Sequence, residues 1–396
     1  MCGSTFSRKW PCSSSDSAGR RVIGTLSQRS RLSPLGMNSS PLRSKKKQEE
    51  QLTKIGVLAA LFIPLISGAQ TAGNEPLKFV QTMVMPDVPK GPYSDHLAVD
   101  LQGHRLFATP QAQKSVQVFD FTTGKLVHTI TGIENPHSVL YRSDLNQIYV
   151  TDGEAGLLRI YNGSDYSQVK SIDHLPDADS IGYDPVTKYL YVTNGGKDAG
   201  LDHAFLTVVD TTTGKRIGDI KLPALSPEAM AMESQGPRIF VDLMDRNLVA
   251  VVDRKKQELV TTWPVTKCKK NIAAGLDEAN HRLYVGCRDT ETSGMIDVFD
   301  TETGKELDTL PIGGWVDYIA YDPTSQRIYA SCGAPVTDGG YVYVYHAGNQ
   351  GHYDLLAKIA TAPRAKTALF VPELNRVFVS VPHFEKEARV LVYQVQ

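Results

Sequence analysis

The chain has 396 residues, 41% of them hydrophobic and 21% charged, with a formal net charge of −1. That length and apolar content suffice for one large core or two to three smaller ones. The near balance of charge argues against a nonspecific nucleic-acid binder, which carries a net basic footprint.

Residues 1–50 are rich in Ser, Arg and Lys without strand periodicity, and 1–36 are expected to be disordered or a misassigned gene start. From Met37 the layout is that of a secretory signal. Basic Arg43, Lys45, Lys46 and Lys47 precede the apolar run IGVLAALFIPLI from Ile55 to Ile66, and the small residues Ser67 and Ala69 follow. The run is too short for a comfortable membrane span, and Pro64 interrupts it. We therefore read 37–69 as a signal peptide and 70–396 as one domain, placed in the periplasm or secreted by a bacterium. Losing residues 1–69 removes 11 basic and 3 acidic side chains, leaving 31 against 40 and a formal charge of −9. No nucleic-acid partner is expected, and no membrane span after cleavage.

Beyond residue 77 the chain repeats. A short strand with an aromatic residue recurs in HRLFAT, NQIYVT, KYLYVT, PRIFVD, HRLYVG, QRIYAS and NRVFVS, whose first residues are 42, 42, 49, 44, 45 and 49 positions apart. Each marker alternates as a half-buried strand does, follows another short strand with its own turn, and precedes a loop and two further strands. A DxxTGK turn joins the last two strands at Asp120–Lys125, Asp210–Lys215 and Asp300–Lys305. Glycine there supplies positive φ, and the Asp and Thr side chains bond nearby backbone, so the motif is structural. Four antiparallel strands per unit of about 45 residues mark a β-propeller blade. The expected fold is all-β with seven such blades. The last unit supplies only three strands, so LKFVQTMVM (77–85) is expected to pair as its fourth and close the ring, which leaves a monomer.

Cys2 and Cys12 fall in the segment expected to be lost, leaving Cys268, Cys287 and Cys332. Cys268 precedes the first strand of the fifth unit and Cys287 ends the second strand of that hairpin. A Cys268–Cys287 disulfide is expected, with Cys332 free.

The lines LYVTNGG (190–196), IYVTDGE (148–154) and RLYVGCRD (282–289) resemble the YVTN-repeat seven-bladed β-propellers of bacteria and archaea, which include YncE-like proteins. The resemblance covers essentially all of 77–396. It implies an exported or surface propeller that binds or assembles rather than a defined catalyst, and fold alone does not settle function.

Counting ten residues back from the second residue of each marker gives Asp95, His137, Asp179, Glu228, Ile272, Asp317 and Lys366. In a propeller these stand where the innermost strand begins, around the channel mouth. Four carboxylates and an imidazole in one column can bind a polar ligand or a divalent cation, calcium with oxygen ligands or zinc with nitrogen included. The candidate metal ligands are Asp95, His137, Asp179, Glu228 and Asp317; His96 and Lys366 add polar contacts. The longer loops at the same end carry His203, Arg288 and His383, candidates for an anion or a protein partner. No cofactor is otherwise indicated, and GxSxG, HExxH, P-loop and CxxCH motifs are absent. The leading expectation is an exported scaffold that binds a small ligand or protein without turnover. The alternative is a metal-assisted, lactonase-like hydrolase in which His137 moves a proton.

Cleavage after Ala69 makes Gln70 the first residue of the exported protein. N-terminal sequencing that returned an intact Met37 start would contradict the signal reading.

Overall fold

The computed structural model describes residues 75–197, 199–334, 339–348 and 351–396. The expected signal peptide and the segment before it lie outside these residues, as does part of the loop from Gly333 to Gly340. Within them the chain forms seven four-stranded antiparallel sheets, one per blade. Among the described residues no helix is long and apolar enough to cross a membrane.

Each blade is sandwiched between its neighbours, which buries both faces of its middle strands. The marker aromatics Phe107, Tyr149, Tyr191, Phe240, Tyr284, Tyr329 and Phe378 are all fully buried. Outer strands remain half wet: Lys125–Ile130 and Gln168–Ile172 alternate exposed and covered positions or are exposed until their last residue. The polar first residue of six markers also has its reason. His104, Asn146, Lys188, His281, Gln326 and Asn375 close the turn into the second strand with φ between 48° and 65°. Asn and His tolerate that left-handed conformation better than most side chains. Pro237 of blade 4 cannot adopt it, and there the Glu233 side chain accepts from Arg238 N at 3.0 Å to hold the turn.

The DxxTGK turns are structural caps. Asp120 accepts from the backbone N–H groups of Thr122 and Thr123 at 2.8 and 3.1 Å, while Gly124 takes φ 74°. Blades 2 and 4 reach the same geometry with other residues. Asn162 accepts in place of the Asp in blade 2 while blade 4 keeps it as Asp253, and Tyr166 and Gln257 take φ 60° and 56° in place of the glycine.

Leu77–Val84 pairs antiparallel with Arg389–Val395 and is the fourth strand of the blade completed by Thr367–Val371 and Arg376–Val381. Its register shifts between Phe79 and Gln81. Leu77 and Met83, six residues apart, would face the same side of a regular strand; the bulge reverses the alternation. Leu77 accordingly joins the core between blades 6 and 7, and Met83 the core between blades 7 and 1.

A disulfide joins Cys268 and Cys287 across a Cα–Cα distance of 5.9 Å, and Cys332 is buried and free.

Met83 is completely buried in the core that joins the first and last blades. Met83→Ala is expected to cost about 2–5 kcal/mol, read as a lower urea midpoint at unchanged slope. A midpoint equal to wild type would contradict the coupling of the two chain ends.

Candidate functional site

The inner strands begin at one end of the channel, and there all seven blades contribute to a cavity of about 360 Å³. Its wall includes Asp95, His96, His137, Asp179, Glu228, Ile272, Asp317 and Lys366, so the column counted from the markers converges as expected. Arg288, expected in a partner-facing loop, is also part of this wall.

The residue after the marker's valine or alanine sets the column in place. Thr109 Oγ1 donates to the carbonyl oxygens of His96 and His137 at 2.9 and 3.0 Å. Thr151 Oγ1 donates to Asp179 O at 2.7 Å, and Ser331 Oγ to Ala365 O at 3.1 Å. A hydroxyl at the end of one blade's second strand thus fastens the start of the next blade's inner strand. In the repeat this Thr reads as an ordinary strand residue; its contact is visible only once neighbouring blades are side by side.

Two arcs of charge result. In the first, His137 Nδ1 lies 3.1 Å from Asp95 Oδ2 and 3.5 Å from Asp179 Oδ1. Gln111 Nε2 donates to Asp95 Oδ2 at 3.0 Å, and His96 Nε2 stands 3.5 Å from Asp95 Oδ1. Asn135 Nδ2 meets His137 Nε2 at 2.9 Å. A ring protonated on Nδ1 alone accepts from that amide, whereas protonation of Nε2 requires the amide to turn its oxygen inward. Burial opposes charge on His137, but Asp179 and Asp95 outweigh it and raise the imidazole to about 9. Burial likewise opposes ionisation of Asp95, yet His96, His137 and Lys366 hold it well below the usual carboxylate range.

In the second arc, Asp317 is clamped by the Arg288 guanidinium on one oxygen and the Lys366 ammonium on the other. Arg288 Nε also donates to Val316 O at 2.8 Å. Against burial, these two cations depress Asp317, and Asp317 together with Asp95 raises Lys366. The anion that Arg288 meets is therefore a carboxylate of its own chain.

Between the arcs stand Asp179 and Glu228. The Asp179 carboxylate has the 3.5 Å approach of His137 and no hydrogen bond, and Glu228 has neither hydrogen bond nor ion pair among the described residues. Burial, Asp179 and Asp317 push Glu228 well above the usual carboxylate range, over the opposing pull of Arg288 and Lys366. Burial, with the charges of Asp95 and Asp317, also raises Asp179 despite His137.

Of the five expected metal ligands, Asp95, His137 and Asp179 bring one ligand atom each within 4.8 Å of one another. Glu228 and Asp317 lie outside that cluster, Asp317 because it is spent on Arg288 and Lys366. His203 and His383 do not line the cavity. His203 contacts its neighbour Asp202 and packs edge-on against Phe205. His383 Nδ1 donates to Val88 O at 2.6 Å, and its carbonyl accepts from Gly91 N at 3.0 Å, so it fastens the segment entering blade 1. Gln111, Asn135 and Tyr93 were not singled out by the column. Gln111 sits in the loop between the second and third strands of blade 1, the loop class expected at this end.

Comparisons with known proteins are informative on fold. No family model matches the chain. In sequence it is similar to the YncE proteins of Salmonella. It is 29% identical over 123 residues to an uncharacterized protein YncE of Salmonella typhi, covering 31% of this chain and 34% of that one. The counterpart of Salmonella typhimurium is 28% identical over the same length. The match thus spans about a third of these curated relatives. Among solved structures, a chain of the mitotic checkpoint complex superposes with a TM-score of 0.66 at 14% identity, over 91% of this chain and 99% of that chain. A chain of Kuenenia stuttgartiensis hydrazine synthase gives 0.65 at 16% identity, over 80% and 100%. At such identities the likeness is one of fold alone.

Because the folded value of His137 lies above its ordinary 6.5, the charged ring stabilises the fold fully below pH 6.5 and loses that contribution as pH rises through about 9. From pH 6.5 to 9, wild type should lose about 3 kcal/mol more stability than His137→Gln, measured by urea denaturation at each pH. Parallel pH profiles would contradict the charged ring.

Proposed function

We propose that this chain is an exported propeller of the YVTN-repeat type that binds a small ligand at its channel mouth and does not turn it over. The observation that carries this reading is the cavity itself. Seven blades deliver charged and polar groups to one space, and once the internal hydrogen bonds are made Glu228 and Asp179, the latter with only the 3.5 Å approach of His137, are left facing it. Half-burying carboxyl groups that lack hydrogen-bond partners is costly, so a site that keeps them is one that a bound group completes. Export is supported by the Cys268–Cys287 bond, which persists in an oxidising compartment. That bond also braces the site, since Arg288 follows Cys287 and its N–H donates to Lys270 O at 3.1 Å.

A second reading, a metal-assisted hydrolase, is favoured by one observation. Asp95, His137 and Asp179 present two carboxylates and an imidazole at ligand spacing. One nitrogen and two oxygens suit zinc better than calcium, which takes about 6–8 oxygens. There a cation would polarise a substrate carbonyl, and His96 and Gln111 would orient Asp95.

The test is thermal unfolding of the mature protein with a panel of small organic cations, anions and neutral sugars, beside metal analysis of protein purified without chelators. A ligand at one hundred times its Kd adds about 2.7 kcal/mol. At least one panel member should raise the Tm of wild type and leave an Asp179→Asn/Glu228→Gln variant unmoved. Silence across the panel would overturn the binding reading. Near one zinc per chain, lost in Asp95→Asn, together with ester or lactone hydrolysis, would establish the second.

A further inference from the structure

The charged cavity does not end at the column. Directly beneath it the channel continues as a second space of about 400 Å³, and His96, Ser180, Ala229 and Asp317 belong to the walls of both. Below those four the character of the wall changes. Val99, Leu140, Ile181, Met230, Ile319 and Leu369, drawn from six blades, line this second space while also resting on the cores between blades. Most of them are only partly buried, unlike the fully covered cores between blades. The parts of Leu140, Ile181, Met230 and Leu369 that the blade cores leave exposed gain nothing from water, whereas a ligand that covers them gains the apolar area removed from water.

The sign of the ligand's head follows from what the mouth leaves unpaired. Lys366 and Arg288 are both committed to Asp317, and Asp95 is shared among His137, His96 and Gln111. An incoming anion would have to break one of these pairs. An incoming cation meets Glu228, which has no partner among the described residues, and on the adjacent blade Asp179, whose only partner is His137 at 3.5 Å.

We infer that the ligand of this channel is an amphipathic amine, with its ammonium group held between Asp179 and Glu228 and its apolar body in the chamber beneath. This rests on the binding reading above and narrows it to one chemical class. The mouth selects charge, and the chamber selects a hydrocarbon or aromatic body of limited length. Selection by the chamber is graded and selection by the mouth is sharp, because a half-buried carboxyl group without a hydrogen-bond donor discriminates against a neutral or anionic head far more than one methylene does.

The experiment is calorimetric titration of mature wild-type protein with butyl-, hexyl- and octylammonium, with hexanoate and hexan-1-ol as head-group controls. Affinity should rise about fourfold per methylene until the chamber is filled, and hexanoate and hexanol should bind at least tenfold more weakly than hexylammonium. Glu228→Gln with Asp179→Asn should erase the preference for the amine over the alcohol. Leu140→Asn should flatten the dependence on chain length while keeping the preference for an ammonium head. Each variant is compared at a circular dichroism spectrum matching wild type, and the wild-type series decides the matter if a variant fails to fold. Equal affinity across chain lengths would overturn the role of the chamber, and tighter binding of hexanoate would overturn the sign of the head. If no amine binds but another panel compound still shifts Tm through Asp179 and Glu228, this inference fails while the binding reading stands; if nothing shifts Tm, both fail.

Discussion

The pairing of Leu77–Val84 with Arg389–Val395 is the constraint on which the rest depends. A sheet that ended at Arg389–Val395 would leave a row of open backbone donors and acceptors at its outer edge and take Leu77 and Met83 out of two cores. Filling that place with the start of the domain joins the two ends of the chain in one blade and sets the circumference of the ring. Only then does blade 7 stand between blades 6 and 1, with Lys366 reaching Asp317 on one side and Thr367 reaching Ser94 on the other. The charge clamp at the mouth is thus a consequence of closure, and a residue of the last blade depends for its partner on a strand some 290 positions earlier in the chain.

The mouth itself is organised by a conflict between burial and charge. Four carboxylates from different blades are brought close together in one partly buried space, where burial and mutual repulsion oppose their ionisation. Two are satisfied internally, Asp95 by imidazoles and an amide, Asp317 by a guanidinium and an ammonium. In the other two, Asp179 and Glu228, burial and the remaining repulsion raise the affinity for protons. This division turns a nearly symmetric scaffold into an asymmetric site, with a cationic clamp on one side and two open carboxyl groups on the other. Blade 5 contributes Ile272 to the column rather than a charge, and its Arg288 enters from the neighbouring loop instead.

Much of the site was legible because a propeller translates chain distance into angular position. A fixed offset from a repeated strand marks one height in every blade, so counting back ten residues gathered Asp95, His137, Asp179, Glu228, Asp317 and Lys366 without coordinates. The same counting placed Arg288 and His383 together in the loop set, and there it reached its limit. The two look alike in sequence, yet Arg288 turns inward onto Asp317 while His383 turns to the Val88 carbonyl and becomes a fastening. A loop's backbone path decides which, and no periodic pattern encodes that path. Gln111 escaped for the same reason, a polar residue in a short connection that reaches back to Asp95, while Asn135 meets His137 two residues on, a contact outside any repeat pattern.

The sequence alone determined the number of blades, the four-stranded unit, the cysteine pair and the column of residues around the channel. Each of these follows from local periodicity or from a constant spacing, which survive without knowledge of the partner strand. The tertiary structure decided which charges neutralise one another, which remain open, and that an apolar chamber lies beneath the charged mouth. Those are properties of side chains from separate blades meeting across the axis, and electrostatic energy depends on separations that only the closed ring defines.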